Sequence, residues 1–183
     1  DLLASKKSYR TLVFLDGYSL TPRERDAVKA RTRHPSVTAV WFLAPGCVTD
    51  AGFSDAAMSE LVGMRLTGAG VNPDVRSADD ASVPTRTSFR GWSKRLPAGA
   101  TAMFFPDVPT TPEAAAELAA AVGTHCYAAS GPYVRRYGDY LMMHVGKGGT
   151  YELRLPPAEA ERSMSERFTG KTYAGGHAAL VSN

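Results

Sequence analysis

Two continuous apolar runs of strand length flank a capped helix near the start of this 183-residue chain, and that arrangement restricts the fold more than any other feature. Residues 9–16 (YRTLVFLD) and 37–43 (VTAVWFL) lack an outward polar alternation, as strands buried on both faces do. Between them Thr21 can cap, Pro22 fits a first helical turn and Glu24 takes the capping-box position. The helix is predicted to run to about Thr32, before His34-Pro35 stops it. Strand, helix, strand in this order is the βαβ unit of a parallel sheet.

Further along, Ser54 and Gly63 bracket a shorter predicted helix over 55–62. Residues 68–90 are rich in Gly, Pro, Ser, Asp and Thr, so loops with short strands near 74–77 and 85–89 are expected. A buried strand is predicted at 100–105 (ATAMFF), and Thr110-Thr111-Pro112-Glu113 opens an alanine-rich helix over 114–122 that ends at Gly123. Beyond Gly123 the texture changes to short, tyrosine-rich segments at 125–128, 133–137, 140–145 and 150–155. Gly138-Asp139 and Lys147-Gly148-Gly149 read as hairpin turns, and 150–155 alternates as a strand with one wet face does. A polar connector (156–166), a turn-linked pair (167–171) and a last strand (178–181) complete the reading. The pattern predicts a mainly parallel α/β sheet with helices on both faces over residues 1–128, and an antiparallel β-rich extension over 129–183. Leu12, Val13, Phe14, Val40, Phe42, Met103 and Phe104 are the expected core.

With 44% hydrophobic residues the chain can build a core, and no stretch approaches the ~20 apolar residues of a membrane-spanning helix. It reads as a soluble chain. The net charge of 21 − 18 = +3, with the signs interspersed, is too mild to argue for nucleic acid. Cys47 and Cys126 allow one disulfide at most, which leaves the compartment open. A start at Asp1, without methionine or a signal-peptide pattern, suits a processed chain or, as favoured here, an excised piece of a longer protein.

Cys47 is the first candidate for chemistry, because it directly follows a predicted buried strand, and sites gather at the carboxyl ends of parallel strands. A thiol nucleophile there would need a tight elbow, a helix N-terminus and an oriented histidine. Thr49 stands where a Gly-x-Cys-x-Gly elbow has its second glycine, and none of His34, His125, His144 and His177 has an acid two residues on. A metal cluster of His125, Cys126 and His144 is disfavoured, since neighbours on a strand face opposite ways. Asp79-Asp80 reads as a solvated turn, and Gly146–Gly149 lacks the Ser or Thr and the helix of a phosphate loop. Tyr127, Tyr133, Tyr137, Tyr140, Tyr151 and Tyr173, with Trp92 upstream, admit a carbohydrate-binding face, although strand tyrosines commonly pack their rings. The expectation is therefore no catalytic, cofactor-binding or metal-binding residue.

Several segments, in order, carry a resemblance: 9–16 followed by Leu20-Thr21-Pro22-Arg23-Glu24-Arg25, then Val40-Trp41-Phe42-Leu43-Ala44-Pro45-Gly46 and Glu60-Leu61-Val62-Gly63. Towards the end, Gly123-Thr124-His125-Cys126-Tyr127, Leu141-Met142-Met143-His144-Val145, Leu153-Arg154-Leu155-Pro156 and Arg167-Phe168-Thr169-Gly170-Lys171 agree. Together they resemble the glutamine-amidotransferase-like, trimerisation-type domain that follows the catalytic barrel in β-galactosidase-like glycoside hydrolases, and the likeness spans most of the chain except about 68–100. It implies a flavodoxin-like three-layer fold without amidotransferase catalytic residues, and a non-catalytic accessory role in domain or subunit contacts or in walling a substrate pocket. The partners implied are a catalytic barrel domain of the same parent protein and a homo-oligomer. Carbohydrate is a further partner, with no nucleic acid and no membrane, and a periplasmic or extracellular location would follow if the parent is secreted. Cys47 directly after Pro45-Gly46 departs from the family and keeps an amidotransferase-like thiol hydrolase as the alternative.

Overall fold

The computed structural model describes residues 7–71, 74–128 and 131–182, the side chains of 181 and 182 excepted. The chain forms two compact units, Asp1–Thr110 and Thr111–Asn183. The boundary expected between 128 and 129 adjoins residues 129 and 130, which lie outside the described set.

In the first unit the order is β1 (Thr11–Phe14), α1 (Pro22–Thr32), β2 (Thr38–Phe42), β3 (Val48–Thr49), β4 (Gly52–Phe53), α2 (Asp55–Val62), β5 (Leu66–Thr67), β6 (Arg76–Ser77), β7 (Val83–Pro84), β8 (Trp92–Arg95) and β9 (Thr101–Phe105). Five strands make one sheet in the order β1-β2-β9-β8-β7. β1, β2 and β9 run parallel, with Val13 beside Val40 and Val40 beside Met103. β8 and β7 are added antiparallel on the far side of β9. The two-residue pairs β3–β4 and β5–β6 are separate ribbons.

Local chemistry forms the helices. The Thr21 hydroxyl accepts the Glu24 N–H at 3.3 Å while the Glu24 carboxylate accepts the Thr21 N–H at 2.9 Å, a complete capping box ahead of α1. Ser54 accepts the Ala57 N–H at 3.1 Å to open α2, and Gly63 closes it in the left-handed region at φ 81°. Val28 of α1 and Met58, Leu61 and Val62 of α2 enter one core with Ala39, Trp41, Ala102 and Phe104, the alternate residues of β2 and β9 that share one face of the sheet. Trp41 stacks on Phe14 at 4.2 Å between ring centres, and Trp92 on Phe104 at 6.1 Å.

This arrangement corrects the expected three-layer, mainly parallel flavodoxin-like fold. The five-stranded sheet is mixed, and the molecule's other sheets are small antiparallel pairs. Both helices of the first unit lie on one face of the sheet, because β1, β2 and β9 advance in one direction without a reversal. A doubly wound fold needs that reversal to send a helix to the other side. The strand expected at 85–89 is irregular, and β8 lies later, at Trp92–Arg95. Its polar Trp-Ser-Lys-Arg sequence gives no apolar run, and pairing with β9 holds it.

Burial follows strand order. Leu12, Val40, Phe42 and Phe104 are buried, whereas Val13 is 50% exposed and Phe14 and Met103 are half-buried. β1 is an edge strand, so half of its side-chain contacts have no neighbouring strand to supply them.

The second unit consists of α3 (Pro112–Ala121), β10 (Tyr133–Tyr137), β11 (Tyr140–His144), β12 (Gly149–Arg154), a 3₁₀ turn at Pro157–Glu159, β13 (Met164–Ser165), β14 (Thr172–Tyr173) and β15 (His177–Ser182). Its described residues form three antiparallel pairs: β10–β11, β12–β15 and β13–β14. Thr111 caps α3 by accepting the Ala114 N–H at 3.2 Å. Gly138, at φ 58° in the first central position, supplies the two-residue turn between β10 and β11. Lys147-Gly148-Gly149 is not a hairpin turn, since β12 pairs with β15 and not with β11. The strand expected at 125–128 is irregular chain, tied to Arg154 by one backbone bond from its N–H to the Tyr127 carbonyl, 2.8 Å long. Among the described residues no helix is long and apolar enough to cross a membrane.

Candidate functional site

The chain leaves β1 and β2 at their carboxyl ends through two loops that bind each other. The Gly46 N–H donates to the Gly17 carbonyl at 2.6 Å, and the Val48 N–H to the Tyr18 carbonyl at 3.0 Å. Leu43 turns the second loop in the left-handed region at φ 65°, unusual for a residue with a branched side chain, and its N–H is held by the Phe105 carbonyl at 2.9 Å. Gly46 follows at φ 64°, where an added Cβ would lie 2.6 Å from the Leu61 side chain. Arg25 reaches over from α1 and donates to the carbonyls of Gly46 at 2.9 Å and Ala57 at 2.8 Å. Its guanidinium thereby clamps the loop to the first turn of α2.

Cys47 sits inside this clamped loop, 2% exposed, at the wall of a cleft of about 280 Å³. Tyr18, Ala44, Val48, Phe53 and residues 70–71 line the rest. Burial pushes the Cys47 thiol up; its own backbone N–H pulls it down and the nearby Asp55 carboxylate adds to the rise. The sole histidine of the first unit, His34, contacts the Ser36 hydroxyl at 3.2 Å in the turn that enters β2, at the opposite end of that strand from Cys47. The sulfur is therefore a protonated, shielded thiol in a mostly apolar cleft, a setting for packing against a small apolar group and not for nucleophilic attack. β1, β2 and β9 follow one another without the strand-order reversal at which open parallel sheets place their ligand crevice, so the cleft beside Cys47 lies away from any such switch point.

The remaining candidates are dispersed. Among the described residues no three His, Cys, Asp or Glu side chains gather closely enough to hold a metal ion. The His125 ring contacts the Arg154 carbonyl at 2.8 Å and meets Tyr127 edge-on, whereas His144 ends β11 opposite Tyr133. Asp79 is not the solvated turn acid that the sequence suggests. It is 11% exposed, accepts from Lys94 Nζ at 2.6 Å and from the N–H groups of Arg65 and Ala81, and its carboxyl is drawn down to about 2. Asp80 alone faces water, 3.6 Å from Arg65. Residues 145–148 connect β11 to β12, and Gly149 is the first residue of β12.

The tyrosines divide into two groups. Tyr127 accepts from Arg136 at 3.2 Å, Tyr151 donates to the Lys147 carbonyl at 2.7 Å and Tyr173 lies beneath the Lys171 ammonium. Tyr133, Tyr137 and Tyr140 are instead 58%, 52% and 71% exposed. Trp92 is half-buried on Phe104. The part of Arg25 has no signature in the sequence, because its acceptors lie 21 and 32 residues away. No family model, curated protein or solved structure matches the chain.

Proposed function

We propose that this chain is a non-catalytic accessory domain of a larger glycoside hydrolase, acting through contacts with a neighbouring domain or subunit. The observation that carries the contact role is the β1 edge of the five-stranded sheet, with which no other strand among the described residues pairs. β7, the opposite edge, is two residues long and ends in Pro84, a device that blocks further strand pairing. β1 has no proline, lysine or bulge, and Val13 within it and Leu15 just after its end are 50% and 52% exposed. Such an edge offers main-chain hydrogen bonds together with exposed apolar side chains, which is what strand addition from a partner uses.

The glycoside hydrolase context is supported by the order of the resembling segments alone; the flavodoxin-like architecture that the resemblance implied is not part of the proposal. The shielded Cys47 thiol speaks against the thiol-hydrolase alternative.

Sedimentation velocity across a concentration series tests the contact role. The chain is expected to self-associate, or to bind an added catalytic barrel domain, and Val13→Lys with Leu15→Lys is expected to abolish that. A wild-type chain that stays monomeric and binds no barrel would defeat the proposal. Incubation with chromogenic galactosides and glucosides tests the non-catalytic part: turnover lost on replacing one Asp or Glu would show an enzyme.

A further inference from the structure

We infer that one face of the β10–β11 ribbon is a binding site for an acidic carbohydrate, a uronate-bearing polysaccharide. This inference does not rest on the accessory-domain reading. Period-two alternation places Tyr133, Arg135 and Tyr137 on one face of β10, and the register sets His144, Met142 and Tyr140 beside them on β11. All six side chains are exposed, while Val134, Arg136, Leu141 and Met143 turn the other way and are half-buried. The four-residue step from Tyr133 to Tyr137 spans roughly 13 Å, and the cross-strand pair Tyr137–Tyr140 lies at roughly 5 Å. That is an elongated platform, sized for an oligosaccharide and not for a single ring.

The chemistry of the face selects the ligand class. The Arg135 guanidinium lies 5.0 Å from the centre of the Tyr137 ring, and no carboxylate or carbonyl among the described residues takes its N–H groups. The acid nearest in sequence, Asp139, is 3.2 Å from Arg162. A forked donor over an aromatic ring, with no anion taking it among the described residues, is complementary to a carboxylate carried on a sugar ring. The open rings of Tyr133 and Tyr140 can stack on the C–H faces of sugar rings, and their hydroxyls together with His144 can bond sugar hydroxyls. A protein partner fits less well. Met142 is the sole aliphatic group on the face, so a dry interface would bury three phenols, a guanidinium and an imidazole in need of partners. A nucleic-acid strand requires a basic track along its backbone, and this face offers one arginine and one histidine.

Affinity electrophoresis of the full chain tests the site, with gels containing polygalacturonate, neutral galactan, polyacrylate or single-stranded poly(dT). Polygalacturonate is expected to retard the protein more than the other three. Tyr140→Ala, Tyr133→Ala and Arg135→Gln, all at exposed positions, should each weaken that retention by about tenfold while leaving the thermal midpoint in place. Absence of retardation by polygalacturonate would overturn the inference. So would equal retention by polyacrylate, which would mean charge alone, stronger retention by poly(dT), equal retention by galactan, or undiminished retention of the variants. These readouts concern the ribbon and are independent of those at the β1 edge, so one proposal can fail while the other stands.

Discussion

Asp79 and Lys94 are joined at 2.6 Å, Oδ2 to Nζ, with both side chains largely withdrawn from water, and the pair fastens the loop after β6 to strand β8. The Lys94 hydrogen bond, followed by the Arg65 N–H, brings the Asp79 carboxyl from its ordinary 3.8 down to about 2. In the unfolded chain the group titrates near its ordinary value. The stabilisation is therefore complete above about pH 5 and is lost as the pH falls from about 4 through about 2, an effect of about 2 kcal/mol. Urea unfolding of the wild type and of Asp79→Asn should show a stability difference near neutral pH that shrinks at about pH 2.5. A difference that stays constant across that range would refute the assignment.

Thiol titration should separate the two cysteines. Cys126 is exposed and Cys47 is buried with its thiol pushed up, so one thiol per chain should react promptly with an aromatic disulfide reagent and the second only after denaturant is added. Cys126→Ser should remove the prompt phase. A prompt phase persisting in that variant would mean that the Cys47 loop opens in the native protein.

Gly46 and Gly52 both have positive φ but differ in the space around them. A Cβ at Gly46 would meet Leu61 at 2.6 Å and Arg25 at 2.9 Å, whereas nothing lies within 4 Å at Gly52. Gly52→Ala should cost about 1 kcal/mol from backbone strain alone, and Gly46→Ala about 3 kcal/mol because the Arg25 clamp must also move. Denaturant midpoints measure both. Equal losses would show that the clamp yields freely.

Thr21→Ala should destabilise the first unit by about 1 kcal/mol, since it removes the acceptor for the Glu24 N–H, and Thr21→Ser should restore most of the loss. The Glu24 carboxyl is held below its usual range by the Thr21 backbone N–H and then by the Thr21 hydroxyl, so it stays charged and bonded at neutral pH. Helix content by circular dichroism and thermal unfolding supply the comparison.

Features decided within a few residues were legible in the sequence. Thr21-Pro22-x-Glu24, Ser54 with Gly63, and Thr111-Pro112 mark helix ends that the structure places at Pro22–Thr32, Asp55–Val62 and Pro112–Ala121. Strand order was not legible, because it depends on which distant segment β9 accepts as its second neighbour, and the polar β8 carries no apolar signal of its own. From that one misreading came the expected layers and the expected burial of Val13. At the candidate sites, the position of Cys47 after a strand could be read, but neither the Arg25 clamp nor the Asp79–Lys94 pair could, since each joins residues 15 or more apart. The exposed tyrosines were a nearer case. Even spacing puts Tyr133 and Tyr137 on one face and the Gly138-Asp139 turn brings Tyr140 beside them, but a pattern of period two does not say which face meets water.

The pairing of β2 with β9 joins Thr38 to Thr101, 63 positions apart, at the centre of the sheet. Closing a chain segment of that length costs entropy before any of the pair's contacts can form, so this step should come late in folding and set its rate. The local ribbons and the capped helices should gather first, with the sheet's middle completed afterwards. A cut in the 68–90 segment would then leave an already folded unit held together across β2–β9, while the same cut made before folding would turn an intramolecular closure into an encounter between two fragments, dependent on their concentration.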